Sequence, residues 1–274
     1  MAKLKDYIAQ VLGLKVTGEG IVAVRGGTRA ILHDDYKGYS LGRHISGQLP
    51  HHYRTIEGIA ADFASGDSAL EAVLALAASM PDSISFRDSH CGEIIAAHFV
   101  EQHLGFRRLY SKLTMLTSQN TNAHKMDGLF VKMGKEIFEY LFVEAKSSIL
   151  PTSSTKKLTH RSGILKDMIE SLNKYSSDDP RFEFSRIRDN LEKSFSNEDS
   201  KKIRSDLIPP GPENMKFLGI SVTNALTVNQ GDDDFILGTC CKSEFDYYAI
   251  VVTDLHATAQ EAYGIWDEAK KVMS

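Results

Sequence analysis

The sequence predicts an α/β (α+β) protein, with a mixed central sheet flanked by helices and an N-terminal extension ahead of it. Three observations carry that prediction. From about Ser89 onward, periodic segments follow in the order helix, strand, strand, strand, helix, strand, strand, helix, an order that packs helices on the faces of one sheet. The runs "MKFLGISVTNAL" and "YYAIVVTDL" are predominantly apolar and read as buried strands. The stretch "HKMDGLFVKMGKEIFEYLFVEAKSS", residues 124–148, reads as two strands joined by a tight turn containing glycine.

The elements follow in chain order. "MAKLKDYIAQVLGLKV" reads as a short amphipathic helix without a cleavage-type site, and "GEGIVAVRGGTRAILHDD" as a short β-hairpin. "YSLGRHISGQLPHHYRT" has loop character, its glycines and proline breaking any period. "GDSALEAVLALAASM" (66–80) is a helix capped by Asp67 or Ser68 and stopped by Pro81. A second helix spans about Ser89 to Leu104, and "FRRLYSKLTMLTSQ" follows as a strand with ragged ends. After the hairpin, Ile164, Leu165, Met168, Ile169 and Leu172 recur at helical spacing. Residues 176–214 are charged and Ser-rich and end in "IPPGPEN", which predicts a solvated helix and a surface loop. An acidic "GDDDF" loop separates the last two strands, and a helix near Trp266 closes the chain. The reading divides the chain into an N-terminal region, 1–85, available for binding a partner, and a core, 86–274.

Composition narrows the function. With 274 residues, 42% hydrophobic and 25% charged, this is ordinary globular material. No apolar run approaches the roughly 20 residues that span a bilayer, so the expectation is a soluble cytoplasmic protein with no membrane partner. Cys91, Cys240 and Cys241 include an adjacent pair and no C-x-x-C, which supports neither a disulfide framework nor a zinc site. A formal charge of -4 argues against a chain that coats nucleic acid unaided, because phosphate neutralisation supplies most of such affinity.

The hairpin nevertheless carries charge where a buried sheet should have none. Side chains alternate along a strand, so Phe138, Tyr140, Phe142, Glu144 and Lys146 share a face. A two-residue turn at Gly134-Lys135 sets Asp127 opposite Phe142 and diagonal to Glu144, with Cβ atoms roughly 7 Å apart. A turn at Met133-Gly134 keeps the face and widens the gap, whereas an odd-length loop breaks the convergence. Glu93 shares a helical stripe with Ala96, Ala97, Val100 and Leu104, an acid on the side that must pack. Clustered carboxylates suit Mg²⁺, which takes one or two of them and completes its shell with water and substrate phosphate; Mn²⁺ is expected to substitute. Asp127 and Glu144 fit the ligand role, Lys146 can orient water or steady developing charge, and Glu93 can bind a second metal or a metal-bound water.

An acid on a helix, then an aspartate in "MDG", then "VEAK" ending an apolar strand resembles the PD-(D/E)xK nuclease superfamily, with Met126 standing where the literal proline would be. More narrowly, "SHCGEIIAAHFVEQHLG", "HKMDGLFV" and "FVEAKSS", over about residues 88–148, are similar to the HamA family, the nuclease subunits of the Hachiman antiphage defence system. Their partner, HamB, is a superfamily 2 helicase. The resemblance implies metal-dependent DNA cleavage at Glu93, Asp127, Glu144 and Lys146, held in check by the helicase. Lys125 and the basic stretch Lys156, Lys157, His160, Arg161 and Lys166 are either a phosphate-contacting rim or a solvated face. Blander readings stand beside each acid: Glu93 complementing a helix dipole, Asp127 starting a turn. Two other functions compete, a non-catalytic regulatory or DNA-binding subunit on a decayed nuclease core and a phosphoesterase acting on a small molecule.

Overall fold

The computed structural model describes residues 40–65, 69–115, 127–149, 163–175, 181–189, 191, 195–208, 211–212, 215–224, 245–252 and 254–271, and the backbone of four short strands between residues 14 and 34. Those strands are β1 (Leu14–Val16), β2 (Val22–Val24), β3 (Gly27–Arg29) and β4 (Ile31–Asp34). As the Gly-rich text predicts, β2 and β3 form an antiparallel hairpin, with Val24 opposite Gly27.

The segment expected as a loop is helix α1 (Leu41–Tyr53). Leu41, Ile45, Leu49 and Tyr53 recur every fourth residue and are buried, while the Ser40 hydroxyl accepts the Arg43 amide as an N-cap. Pro50 lies inside this helix and cannot donate to the carbonyl of Ser46 four residues back. The indole N–H of Trp266 donates to that carbonyl instead, at 3.1 Å. Two short helices follow, α2 (Ile56–Ala64) and α3 (Ala69–Ala78), then α4 (Ile84–Phe99). Helix α4 starts at Ile84 and not at Ser89, with Ser83 in the cap position, and widens into a π-type turn at Val100–Leu104. Gly105, at φ 72°, ends it in the left-handed conformation that glycine adopts most easily.

Among the described residues five further strands and four helices follow: β5 (Arg107–Ser111), β6 (Gly128–Met133), β7 (Phe138–Ser148), α5 (Ile164–Tyr175), α6 (Arg181–Asp189), α7 (Asn197–Asp206), β8 (Met215–Asn224), β9 (Phe245–Val252) and α8 (Leu255–Lys271). A tight turn, Lys112–Met115, follows β5. The sheet order is β1-β4-β9-β8-β7-β6-β5. Strands β5, β6 and β7 are antiparallel, while β7, β8 and β9 are parallel, which is the predicted mixed sheet.

Alternation along β7 divides the core. Leu141, Val143 and Ala145 pack with Ile94 and Phe99 of α4, Leu41, Ile45 and Leu49 of α1, Leu76 of α3 and Ala259 and Tyr263 of α8. Phe138, Tyr140 and Phe142 face Leu165, Met168 and Leu172 of α5. The segment expected to be a solvated helix and loop is more than that: Phe184, Ile187, Ile203 and Leu207 are buried in this second layer, their spacing hidden among charges.

Candidate active site

The loop joining β6 to β7 fixes the site. Met133 pairs with Phe138 and Gly128 with Val143, so the loop is the four residues Gly134–Ile137 and not a two-residue turn. Carried one step back, the register sets Asp127 across from Glu144, where Phe142 was expected. Two and four are both even, so the matched positions are kept, but Asp127 precedes β6 and its side chain lies with Glu93, Phe130, Val143 and Ala145 on the α4 side, while Glu144 meets Ser171 of α5. The two acids converge at the end of β7 from its two faces.

Strand β6 pairs with β7 only as far as Val143, and β7 runs on to Ser148. At that step Asp127 takes over the pairing: its Oδ2 accepts the Ala145 amide at 2.8 Å. Its Oδ1 accepts from Lys112 Nζ at 2.6 Å, and the Lys112 amide donates to the Asp127 carbonyl at 3.2 Å. Glu144 is 1% exposed, and its Oε1 lies 2.5 Å from Lys146 Nζ. Burial, followed by the negative charge of Asp127, pushes the Glu144 carboxyl up to about 7, against the pull of Lys146.

Glu93 reaches the same place from α4. A Cβ at Gly92 would fall 2.4 Å from the Cβ of Ser147, so the missing side chain lets helix and strand touch and puts Glu93 beside the strand end. Its Oε1 is 2.8 Å from Lys112 Nζ. Burial and the charge of Asp127 raise its carboxyl to about 7, with Lys112 opposing. Lys112 thus bridges Glu93 and Asp127. Burial alone would discharge it, but the two carboxylates outweigh that and hold its ammonium charged above the ordinary lysine value. Nothing in "YSKLTM" marks this lysine; its partners lie on other elements, and sequence reasoning missed it.

A buried polar chain backs the site. The Tyr53 hydroxyl is 2.6 Å from His90 Nδ1 and 2.7 Å from the Tyr263 hydroxyl. Burial, then the charge of Lys112, lowers the His90 imidazole to about 4, which keeps it neutral. In front of the site opens a cleft of about 740 Å³ whose charged and titratable lining is Asp88, Glu93, Lys112, Lys146, Asp167 and His256. Ile84 and Ile149 sit exposed on its rim. Cys91 is fully buried and its thiol pushed up by that burial, so it is no nucleophile.

The structure therefore brings Asp127, Glu144 and Lys146 together and joins Glu93 to them through Lys112. Lys125, Lys156, Lys157, His160 and Arg161 lie outside the described residues, while Lys166 is exposed and 3.5 Å from Glu170. Among the described residues no three His, Cys, Asp or Glu side chains form a ready-made metal cage. The donors still fit Mg²⁺, which needs only one or two carboxylates from the protein. Asp127 and Glu144 supply hard oxygens, and Glu144 Oε2 is buried without a hydrogen-bond partner, which leaves it open to a cation.

No helix among the described residues is long and apolar enough to cross a membrane. The HamA family model matches residues 28–258, a span running from β3 into the first turn of α8. Comparison with curated proteins gives no match.

Proposed function

The chain belongs to the HamA family, and is thereby a component of the Hachiman antiphage defence system; on that premise we propose that it is a Mg²⁺-dependent deoxyribonuclease, the cleaving subunit of a cytoplasmic two-protein complex with the superfamily 2 helicase HamB. One observation carries the reading: Asp127 stands across from Glu144, whose Oε1 is 2.5 Å from Lys146 Nζ, and Lys146 lines an open cleft together with Glu93 and Lys112.

In this reading Asp127 and Glu144 hold Mg²⁺, and Mn²⁺ substitutes for it. When bound, the ion neutralises charge developing on the phosphate and lowers the proton affinity of a coordinated water. The chain supplies orientation. Asp127 is fixed by the Ala145 amide on one oxygen and Lys112 on the other, so it is aligned before substrate arrives. Lys146, with 28% of its side chain exposed, presents a point charge to the cleft, where it orients the attacking water and steadies the pentacovalent phosphate. Ala145 and Val143 form an apolar backing that excludes bulk water and strengthens these contacts.

The charge of the cleft wall supports the need for a partner. Asp88, Glu93 and Asp167 offset Lys112 and Lys146, so the wall offers a polyanion little attraction. The helicase then delivers DNA and, while it holds this subunit closed, protects the host chromosome. The surface it grips is assigned to the N-terminal region, 1–85.

Plasmid and linear duplex incubated with the chain and its helicase in Mg²⁺ test the reading. Cleavage is expected, lost in excess chelator and with Glu144→Ala. Cleavage undiminished by chelator sinks it, and hydrolysis of a small phosphodiester without DNA cleavage favours the phosphoesterase instead.

A further inference from the structure

We propose that Lys112 occupies the place of a second cation, so that the chain binds a single divalent ion through Asp127 and Glu144, while Glu93 holds the Lys112 ammonium and ligates no metal. The inference rests on the metal-dependent reading above and gives the site its stoichiometry.

The geometry is that of a cation between two ligands. Lys112 Nζ is 2.6 Å from Asp127 Oδ1 and 2.8 Å from Glu93 Oε1, and these carboxylates come from different elements. The contact is built in. Lys112 follows β5 in a tight turn, its amide donates to the Asp127 carbonyl, and only 11% of its side chain is exposed. A rim lysine would keep its ammonium in water.

Charge points the same way. Glu93, Asp127 and Glu144 face Lys112 and Lys146 across short contacts, which leaves the cluster one net negative charge when all three carboxylates are ionised. One divalent ion turns that into a single positive charge, matched to a phosphodiester. A second would have to share Asp127 Oδ1 with the ammonium already on it, and repulsion at such range in a buried site is severe. Glu144 is placed differently: its ion pair is with Lys146 and not with Lys112, and its Oε2 is buried without a hydrogen-bond partner, so it keeps a ligand oxygen that Lys112 does not occupy. Glu93 Oε2 is likewise without a hydrogen-bond partner, which is why removing the ammonium should expose a second ligand pair.

The test is Mn²⁺ titration of the full chain without DNA, read by the electron paramagnetic resonance of the free ion. Wild type should bind one ion, and Glu93→Gln should still bind one. Glu144→Gln should weaken that site by at least about tenfold, the usual scale for losing support of a metal. Lys112→Met should bind two ions, because Glu93 and Asp127 are released. Should that variant fold poorly, the double variant Glu93→Gln with Lys112→Met, which removes both members of the pair, should fold and bind one. Two ions in wild type, falling to one in Glu93→Gln, overturn the inference, as does a Lys112→Met variant that stays at one. DNA cleavage scored separately in the helicase complex keeps the two readings apart: one ion without cleavage refutes the nuclease and supports the single site, while cleavage with two ions does the reverse.

Discussion

Ala145 donates its amide to Asp127 Oδ2 at 2.8 Å, so the carboxylate that precedes β6 takes the place of the strand that stops there. The bond holds Asp127 beside Glu144 and prevents the two negative charges from separating. That enforced closeness, added to burial, is why the Glu144 carboxyl rises to about 7.

Raised carboxyl affinity has a definite sign in stability. A group that binds its proton more tightly folded than unfolded stabilises the fold below its unfolded pKa, and that contribution is lost as pH rises through the folded one. For Glu144 the window runs from 4.5 to about 7. In chelator, Glu144→Gln should match wild type near pH 4.5 and become more stable by pH 8, by on the order of 1–3 kcal/mol, since a tenfold change in proton affinity is worth about 1.4 kcal/mol. Lys146→Met removes the cation 2.5 Å from Glu144 and should move the opposite way, losing stability over the same window. Thermal melts of both variants at pH 5 and pH 8 decide it; parallel pH profiles for the two refute the electrostatic account.

Gly92 and Ser147 give a packing prediction. An alanine at 92 puts a Cβ 2.4 Å from the Ser147 Cβ, a distance that forces α4 away from β7. Gly92→Ala should destabilise the chain by about 1–3 kcal/mol, the usual cost of overpacking a core, and should depress DNA cleavage by displacing Glu93 and its hold on Lys112. Adding Ser147→Gly should restore both. A double variant no better than Gly92→Ala shows that the close approach is not what places Glu93.

How far the sequence reveals this site depends on which relations are local. The matching of Asp127 to the end of β7 is legible because strand alternation has a period of two and any even loop keeps the positions in step; that Asp127 meets Glu93 on the α4 side is not, because Asp127 lies just outside β6. The register is not legible. Ile137 is apolar and reads as the next strand residue, yet it is 60% exposed in the loop. Helix α1 is hidden for a related reason. Gly42 interrupts its pattern because a Cβ there would lie 2.8 Å from the Thr258 carbonyl, a contact with α8 that no local window contains. Lys112 is invisible on the same grounds, since what makes it part of the site is the arrival of Glu93 and Asp127 from elsewhere.

The Pro50 break offers a cycle with a clear sign. Trp266 donates to the Ser46 carbonyl that Pro50 leaves open. Trp266→Phe should therefore cost about 1–3 kcal/mol, the penalty for a hydrogen-bonding group left without its partner, plus some lost packing. With Pro50→Ala in the background, the alanine N–H satisfies that carbonyl, and Trp266→Phe should cost measurably less. Equal costs in the two backgrounds, from chemical denaturation, show that the indole contributes only by packing.

The last prediction concerns how the chain finds DNA. Within the cleft, Asp88, Glu93 and Asp167 offset the two lysines, each lysine is paired to a carboxylate, and the chain as a whole carries a formal charge of -4. Few phosphates can be neutralised, so the isolated protein should bind duplex DNA near or beyond the roughly 10⁻⁴ to 10⁻⁶ M of non-specific contacts at physiological salt. Its log affinity should fall with log salt at a slope no steeper than about -2, each neutralised phosphate contributing about -0.9. Adding the helicase should raise apparent affinity and cleavage together. Removal of the N-terminal region should stop short of Leu41, because Leu41, Ile45 and Leu49 are part of the core; a chain trimmed before that point should melt cooperatively and fail to co-purify with the helicase. Fluorescence anisotropy on the isolated full chain is the decisive measurement, and nanomolar binding with a steep salt slope would show that it reaches DNA unaided.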